Sequence, residues 1–112
     1  MTPSAATETS GELTRDDVDR MPGAVVLEFG ASWCGICEGA RPLIDQALTQ
    51  ALAEQPGLRR IWIEDGRGKR LGRSFGIKLW PTLVVLRDGR EVARVVRPRD
   101  LDAIRAALSA AA

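Results

Sequence analysis

One apolar run, Val25-Val26-Leu27-Glu28-Phe29, constrains the fold of this chain most strongly. Four of its five residues are apolar, and they do not alternate with polar residues. A strand with apolar side chains on both faces must be covered on both faces, as in a sheet that lies between helices. The sequence therefore predicts an α/β domain in which this strand is central.

Segments of helical and strand period alternate along the rest of the chain. The predicted elements are a short helix capped by Thr14, a helix over about residues 35–53 that contains Pro42, a strand at 61–63, a short helix over 69–75, strands at 82–86 and 91–96, and a final helix capped near Asp100. Asp88-Gly89 between the last two strands is a strong hairpin signal. The predicted order after the first short helix is β-α-β-α-β-β-α.

The length and the N-terminal segment limit the organisation of the chain. A chain of 112 residues has room for one domain with a modest core. Residues 1–10 are rich in Ala, Thr and Ser, and we expect a flexible tail there, followed by a domain over residues 11–112. This tail lacks the features of a secretory signal, and no apolar segment is long enough to span a bilayer. We therefore expect a cytoplasmic monomer with no membrane partner.

Charge is divided unevenly between the two halves of the chain. Residues 1–58 hold three basic residues against nine acids, a balance of −6, and residues 59–112 hold thirteen basic residues against six acids, a balance of +7. The basic residues are spread singly without an aromatic ladder, so we expect no nucleic-acid partner. A solvated basic face explains the pattern most simply, and a docking face for an acidic protein partner is the alternative.

The only two cysteines lie in Trp33-Cys34-Gly35-Ile36-Cys37, between the central strand and the next helix. With no histidine in the chain, two thiols make only half of a tetrahedral zinc site, so we expect no metal. Two intervening residues bring both sulfurs within bonding distance on one helical turn. A thiolate at a helix N-terminus is stabilised by unpaired N–H groups, which favours Cys34 as the more exposed nucleophile and Cys37 as the resolving thiol. The alternative is a pair of buried structural thiols.

Glu28 interrupts the apolar strand a few residues before the cysteines. A carboxyl group kept from water under the cysteine pair would accept and donate the proton that Cys37 must lose and regain. The alternative is that Glu28 points to a wet edge of the sheet.

These residues resemble those of the thioredoxin family over residues 11–112. The shared pattern comprises Trp-Cys-Gly-X-Cys after a strand, a proline five residues after the second cysteine, Phe75-Gly76-Ile77, and Trp80-Pro81-Thr82 before the hairpin. The resemblance implies a thioredoxin-like fold, with a central mixed sheet flanked by helices. The family's first strand has no good counterpart in residues 5–12, so we expect it to be weak or missing.

The resemblance also implies roles for particular residues. Pro81 corresponds to a cis-proline that faces the cysteines. The spacing alone does not predict a cis bond, because most X–Pro bonds are trans, and the alternative is the start of an edge strand. Glu28 stands where the family carries its buried acid. The residues expected to bind substrate are Trp33, Gly35, Ile36, Trp80, Pro81 and Arg97.

Several positions depart from the family pattern. Ile36 replaces the usual proline, Gly30 a common tryptophan, and Arg97-Pro98 a loop with a glycine; Trp80 is bulkier than usual, and Trp62 lies near the place of a lysine that often partners the buried acid. These departures suggest a partner different from that of a general thioredoxin.

The sequence predicts a thiol:disulfide oxidoreductase that acts on protein disulfides through Cys34 and Cys37, with Glu28 as the proton shuttle. No bound cofactor is implied, and electrons would come from another protein such as a reductase. The alternative is a thioredoxin-like adaptor or assembly chaperone that uses the same groove, with the cysteines as a redox switch or a relic.

Overall fold

Strand β2 (Ala24–Gly30) is the centre of a five-stranded mixed sheet, and all of its residues are buried. The computed structural model describes residues 8–9 and 13–112. The other strands are β1 (Glu8–Thr9), β3 (Arg59–Glu64), β4 (Thr82–Arg87) and β5 (Arg90–Val96). Their order in the sheet is β1-β3-β2-β4-β5. β1, β3 and β2 run parallel, whereas β4 is antiparallel to both β2 and β5.

Helices cover both faces of this sheet. They are α1 (Arg15–Asp19), α2 (Gly35–Glu54), α3 (Arg70–Ser74) and α4 (Leu101–Ser109). Val26 of β2 belongs to a buried cluster with residues of α2 and α4, whereas its neighbour Leu27 belongs to a second cluster with residues of α1 and α3. The prediction of a strand buried on both faces is confirmed.

Local signals in the sequence explain where the elements begin and turn. Thr14 caps α1 through a reciprocal pair of hydrogen bonds with Asp17, and Asp100 caps α4 by accepting a 2.8 Å bond from the Ala103 N–H. Asp88 and Gly89 both have positive φ, at 51° and 81°, as the tight turn of a hairpin requires. The predicted hairpin and both predicted caps are confirmed.

The first strand is short, as the sequence suggested. β1 has two residues, and Glu8 and Thr9 pair with Ile61 and Trp62 of β3. The predicted flexible tail over residues 1–10 falls mostly outside the described residues, so the division at residue 10 stays a prediction. In the part of the chain that the structure describes, no helix has both the length and the apolarity needed to cross a membrane.

The topology brings three segments together at one edge of the sheet. β2 and β3 are parallel neighbours, and Gly30 at the end of β2 pairs in register with Glu64 at the end of β3. The chain after Gly30 turns into the N-terminus of α2, and the Asp65 N–H donates a 2.7 Å bond to the Gly30 carbonyl. Residues that follow the two strands therefore surround the start of α2.

Candidate active site

Cys34 occupies the N-cap position of α2, and both cysteines are free thiols. Its extended backbone, with φ −87° and ψ 111°, turns the chain into the helix. The Cys37 N–H donates a hydrogen bond of 3.1 Å to the Cys34 sulfur. A sulfur that accepts a backbone N–H at a helix N-terminus is well placed to carry negative charge.

The two thiols differ in burial in the predicted direction. Cys34 is 8% exposed and Cys37 is 3% exposed, so Cys34 is the more exposed thiol. It is nevertheless less open than the sequence suggested, because Ala31 and Trp80 pack against the pair. Trp33 beside it is 75% exposed. The indole of Trp33 is therefore far more exposed to solvent than the neighbouring thiol of Cys34.

Burial raises the pKa of Cys37 to about 11. Burial is the largest cause of this rise. A hydrogen bond with Cys34 and the negative charges of Cys34 and Glu28 contribute to the same rise, whereas a backbone hydrogen bond with Ala31 opposes it. Cys37 is therefore protonated near neutral pH and must lose a proton before it can attack a sulfur.

Glu28 is buried, which excludes the alternative of a wet edge. It is 2% exposed, and Arg60 of β3 donates to its Oε1 through Nε and Nη2, each at 2.9 Å. Arg60 also lies 2.7 Å from Oδ1 of Asp45 on α2. One buried guanidinium thus joins the carboxylate under the cysteine pair to a carboxylate on α2.

Arg60 corrects one expectation from the sequence. The resemblance suggested that Trp62 lies near the position of the cation that partners the buried acid, which would leave Glu28 uncompensated. In the sheet, Trp62 is the register partner of Glu28, and Arg60 two residues earlier supplies the cation. The sequence does contain a signal for this arrangement, because Arg60, Trp62 and Glu64 alternate with isoleucines at 61 and 63. Alternate residues of a strand share a face, so this pattern predicts that the three side chains lie on the same face of β3.

The loop before β4 forms the other wall of the site. The Trp80–Pro81 peptide bond is cis, and the indole of Trp80 packs against the cysteine pair. The rings of Trp33 and Trp80 meet edge to face, with centroids 5.4 Å apart. Ile36 in the cysteine loop is more than half exposed, so the surface around Cys34 is largely apolar.

Arg97 takes the place where the resemblance expected a glycine. Its φ of 48° lies in the left-handed region that glycine adopts most easily. Its N–H donates to the Pro81 carbonyl at 2.8 Å, and its side-chain Nε donates to the Trp80 carbonyl at 2.9 Å. The cation expected beside the groove is therefore present and is tied to the cis-proline loop.

Asp65 is a site residue that sequence reasoning missed. It is buried, and its Oδ2 accepts a 2.9 Å hydrogen bond from the indole N–H of Trp80. A side chain at Gly72 would have its Cβ within 2.6 Å of the Asp65 carboxylate, so glycine leaves the room that Asp65 needs. No local pattern marks a contact between residues on two separate loops.

The site has the groups needed for thiol–disulfide exchange. It combines a sulfur at a helix N-terminus, a second thiol one turn along, a buried carboxyl group and exposed apolar side chains beside the cysteines. Within the described residues there is no cluster of three or more His, Cys, Asp or Glu that could hold a metal ion.

Known proteins resemble this chain over most of its length. The family model described as Thioredoxin matches residues 6–110. Thioredoxin from Chlamydia muridarum is 34% identical over 82 residues, which cover 73% of this chain and 76% of that protein. The reduced form of thioredoxin 2 from Pseudomonas aeruginosa is 48% identical with a TM-score of 0.73, covering 93% of this chain and 94% of that one. A mutant thioredoxin from Halobacterium salinarum is 28% identical with a TM-score of 0.72, covering 99% and 95%.

Proposed function

Since this chain belongs to the thioredoxin family, we propose that it reduces disulfide bonds of protein substrates, with Cys34 as the attacking and Cys37 as the resolving thiol. Family membership and the close cysteine pair make the chain a thiol:disulfide oxidoreductase. The family also implies disulfide substrates and a reductase partner in general. The observation that carries the assignment of roles is the Cys34 sulfur at the N-terminus of α2, accepting the Cys37 N–H.

The proposed reaction has two exchange steps. The Cys34 thiolate attacks one sulfur of the substrate disulfide, forms a mixed disulfide and releases the other substrate sulfur as a thiolate. Cys37 then loses its proton and attacks the Cys34 sulfur, which releases the second substrate thiolate and leaves a Cys34–Cys37 disulfide. Two electrons pass to the substrate, and the reductase restores both thiols.

Glu28 is the proposed acceptor of the Cys37 proton. Its charge acts on Cys37, and its place under the cysteine pair is dry. Arg60, which is itself paired with Asp45, holds the Glu28 carboxylate in a fixed position, which suits a group that must receive a proton without moving. Because Cys37 is mostly protonated near neutral pH, this transfer limits the resolving step.

We place the protein in the cytoplasm, as a monomer with no bound cofactor. The thiol pool of the cytoplasm is reducing, which favours reduction of substrates. Bacterial thioredoxins among its relatives support this proposal. The direction of transfer then follows from the potential of the cysteine pair relative to that pool.

The assay for this function is reduction of insulin by dithiothreitol with and without the protein. We expect catalytic amounts of the protein to accelerate precipitation of the insulin B chain at least about tenfold over dithiothreitol alone. The alternative of a binding adaptor predicts no acceleration. One argument for that alternative was the apparent loss of the cation beside the buried acid, and Arg60 supplies this cation.

Trp80 is the proposed selectivity element of the groove. Its indole is fixed on one side by Asp65 and on the other by contact with Trp33. A rigid indole beside the attacking sulfur favours substrates with a complementary apolar strand and excludes others by shape. Arg97 adds positive charge at the same loop, which favours acidic partners and weakens with salt.

Exchanging Trp80 for Ile is expected to widen the range of protein disulfides that are reduced. Poor substrates should gain roughly threefold to tenfold in kcat/KM, because an aliphatic side chain removes the fixed indole from the groove. The measurement is the rate of reduction of several unrelated protein disulfides, at low and high salt. Asp65→Asn is the matched control. It changes the residue that fixes Trp80 but keeps the indole in place, because the amide oxygen can still accept the indole N–H. Identical rate profiles for wild type and Trp80→Ile would mean that Trp80 fills the core and does not contact the substrate.

A further inference from the structure

Gly30 has no side chain, and the indole of Trp62 fills the space that a side chain there would occupy. Its Cη2 atom lies 2.6 Å, and the Cys37 sulfur 3.0 Å, from the position that a Cβ atom of residue 30 would occupy. No side chain larger than a hydrogen fits at residue 30 unless the indole moves. Trp62 and Cys37 therefore lie against the same point of the backbone, one from β3 and the other from α2.

The indole of Trp62 is held in this place by polar contacts. Its Nε1–H donates to Oε1 of Glu64 at 3.1 Å, and the other oxygen of Glu64 accepts the Ser32 backbone N–H at 2.9 Å. The guanidinium of Arg41 on α2 lies 5.6 Å from the centre of the Trp62 ring. Ser32 belongs to the loop that carries Cys34. The carboxylate of Glu64 therefore binds both the indole of Trp62 and the cysteine loop.

Glu64 is well suited to this role. Hydrogen bonds from Ser32, chiefly from its backbone N–H, hold the pKa of its carboxyl group below its usual range. Hence the acceptor for both Trp62 and Ser32 stays charged at neutral pH, and charged acceptors form the stronger hydrogen bonds.

We propose that Trp62 is a positioning residue for Cys37: its indole, seated over Gly30 and held by Glu64, closes this side of the thiol to water. The proposal rests on the resolving role of Cys37 and adds what controls its reactivity. A covered thiol ionises less readily, so resolution is slowed and the mixed disulfide at Cys34 lasts longer before Cys37 releases the substrate. The elements packed around Cys37 carry several other charged groups, which must be the same in all the variants that are compared: Glu28, Asp45, Arg41, Arg60 and Glu64. The Cys34 thiolate is a further charge, and a Cys34→Ser background removes it from every variant alike.

The test is alkylation of Cys37 as a function of pH in the Cys34→Ser background, where only one thiol reacts. Trp62→Ala is expected to admit water, lower the pH midpoint of the reaction and raise its rate at pH 8 about tenfold. With Cys34 present, the mixed disulfide should resolve about threefold faster, because the larger thiolate fraction is partly offset by lower nucleophilicity. Trp62→Phe, which keeps an apolar ring but loses the bond to Glu64, is the matched control and should shift the midpoint less.

An unchanged or raised midpoint in a folded Trp62→Ala protein would overturn the proposal. If Trp62→Ala does not fold, Trp62→Leu takes its place, because it retains part of the apolar side chain and still empties the space over Gly30. Alkylation of Cys37 does not require catalysis. A wild-type protein that fails to reduce insulin would therefore refute the proposed function and leave the titration result intact.

Discussion

Cys37→Ser is expected to trap a covalent complex with a protein substrate, whereas Cys34→Ser traps none and loses activity. The attacking sulfur remains in Cys37→Ser, but the group that would resolve the mixed disulfide is gone, so one substrate molecule accumulates per chain. In Cys34→Ser the rate of insulin reduction should fall at least about tenfold, to that of dithiothreitol alone, because the whole acceleration depends on the attacking sulfur. The complex is measured on a non-reducing gel and by mass spectrometry.

The two variants control for each other, because the same atom is exchanged one turn apart on the same helix. Alkylation of the reduced wild type near pH 8 gives an independent check. Cys34 should be labelled first, since Cys37 stays largely protonated until the pH approaches about 11. A covalent complex formed through Cys37 in the Cys34→Ser protein, or equal labelling of both thiols, would reverse the assignment.

Glu28→Gln is expected to slow the resolving step by roughly 10- to 100-fold and to flatten its pH dependence between about pH 6 and 9. An amide cannot accept the Cys37 proton, so resolution would depend on hydroxide or bulk water. Stability should also fall, by about 1–3 kcal/mol, because Arg60 keeps Asp45 but loses its buried charged partner. The sequence alone suggested an uncompensated acid whose removal leaves the fold as stable as before or more stable, and the ion pair reverses that expectation.

The measurements for Glu28→Gln are single-turnover resolution of a preformed mixed disulfide across pH and urea unfolding at neutral pH. Asp45→Asn is the matched control, because it removes the other carboxylate of Arg60 and leaves Glu28 in place. It should cost stability without flattening the pH dependence. Equal rates for Glu28→Gln and wild type at every pH would make Glu28 a structural residue only.

Local sequence signals were sufficient to predict most of the fold. The apolar run at residues 25–29, the Asp88-Gly89 turn and the caps at Thr14 and Asp100 each depend on neighbours within a few residues. The cysteine pair is likewise a local motif, because a single helical turn sets the relation between its two sulfurs. These features could be derived without knowing how the strands pair.

The groups that tune the site could not be derived in the same way. Glu28 and Arg60 are 32 positions apart, and Trp80 and Asp65 are 15 apart, so each contact depends on the register or on the meeting of two loops. The sequence predicts a strand only at residues 61–63, whereas β3 runs from Arg59 to Glu64 with its even-numbered residues facing the site. The residues that the predicted strand omits at its two ends, Arg59, Arg60 and Glu64, are the charged residues of β3.

The left-handed backbone of Arg97 affects the stability of the folded protein, and hence the outcome of selection for stability. A non-glycine residue with left-handed backbone costs roughly 1–2 kcal/mol, and this cost falls directly on the loop beside the cis-proline. Glycine at this position would recover that free energy, but it would remove the guanidinium that donates to the Trp80 carbonyl. The protein therefore gives up thermodynamic stability in the loop beside the cis-proline, and a screen for thermostable variants alone would select against the side chain that donates to this loop.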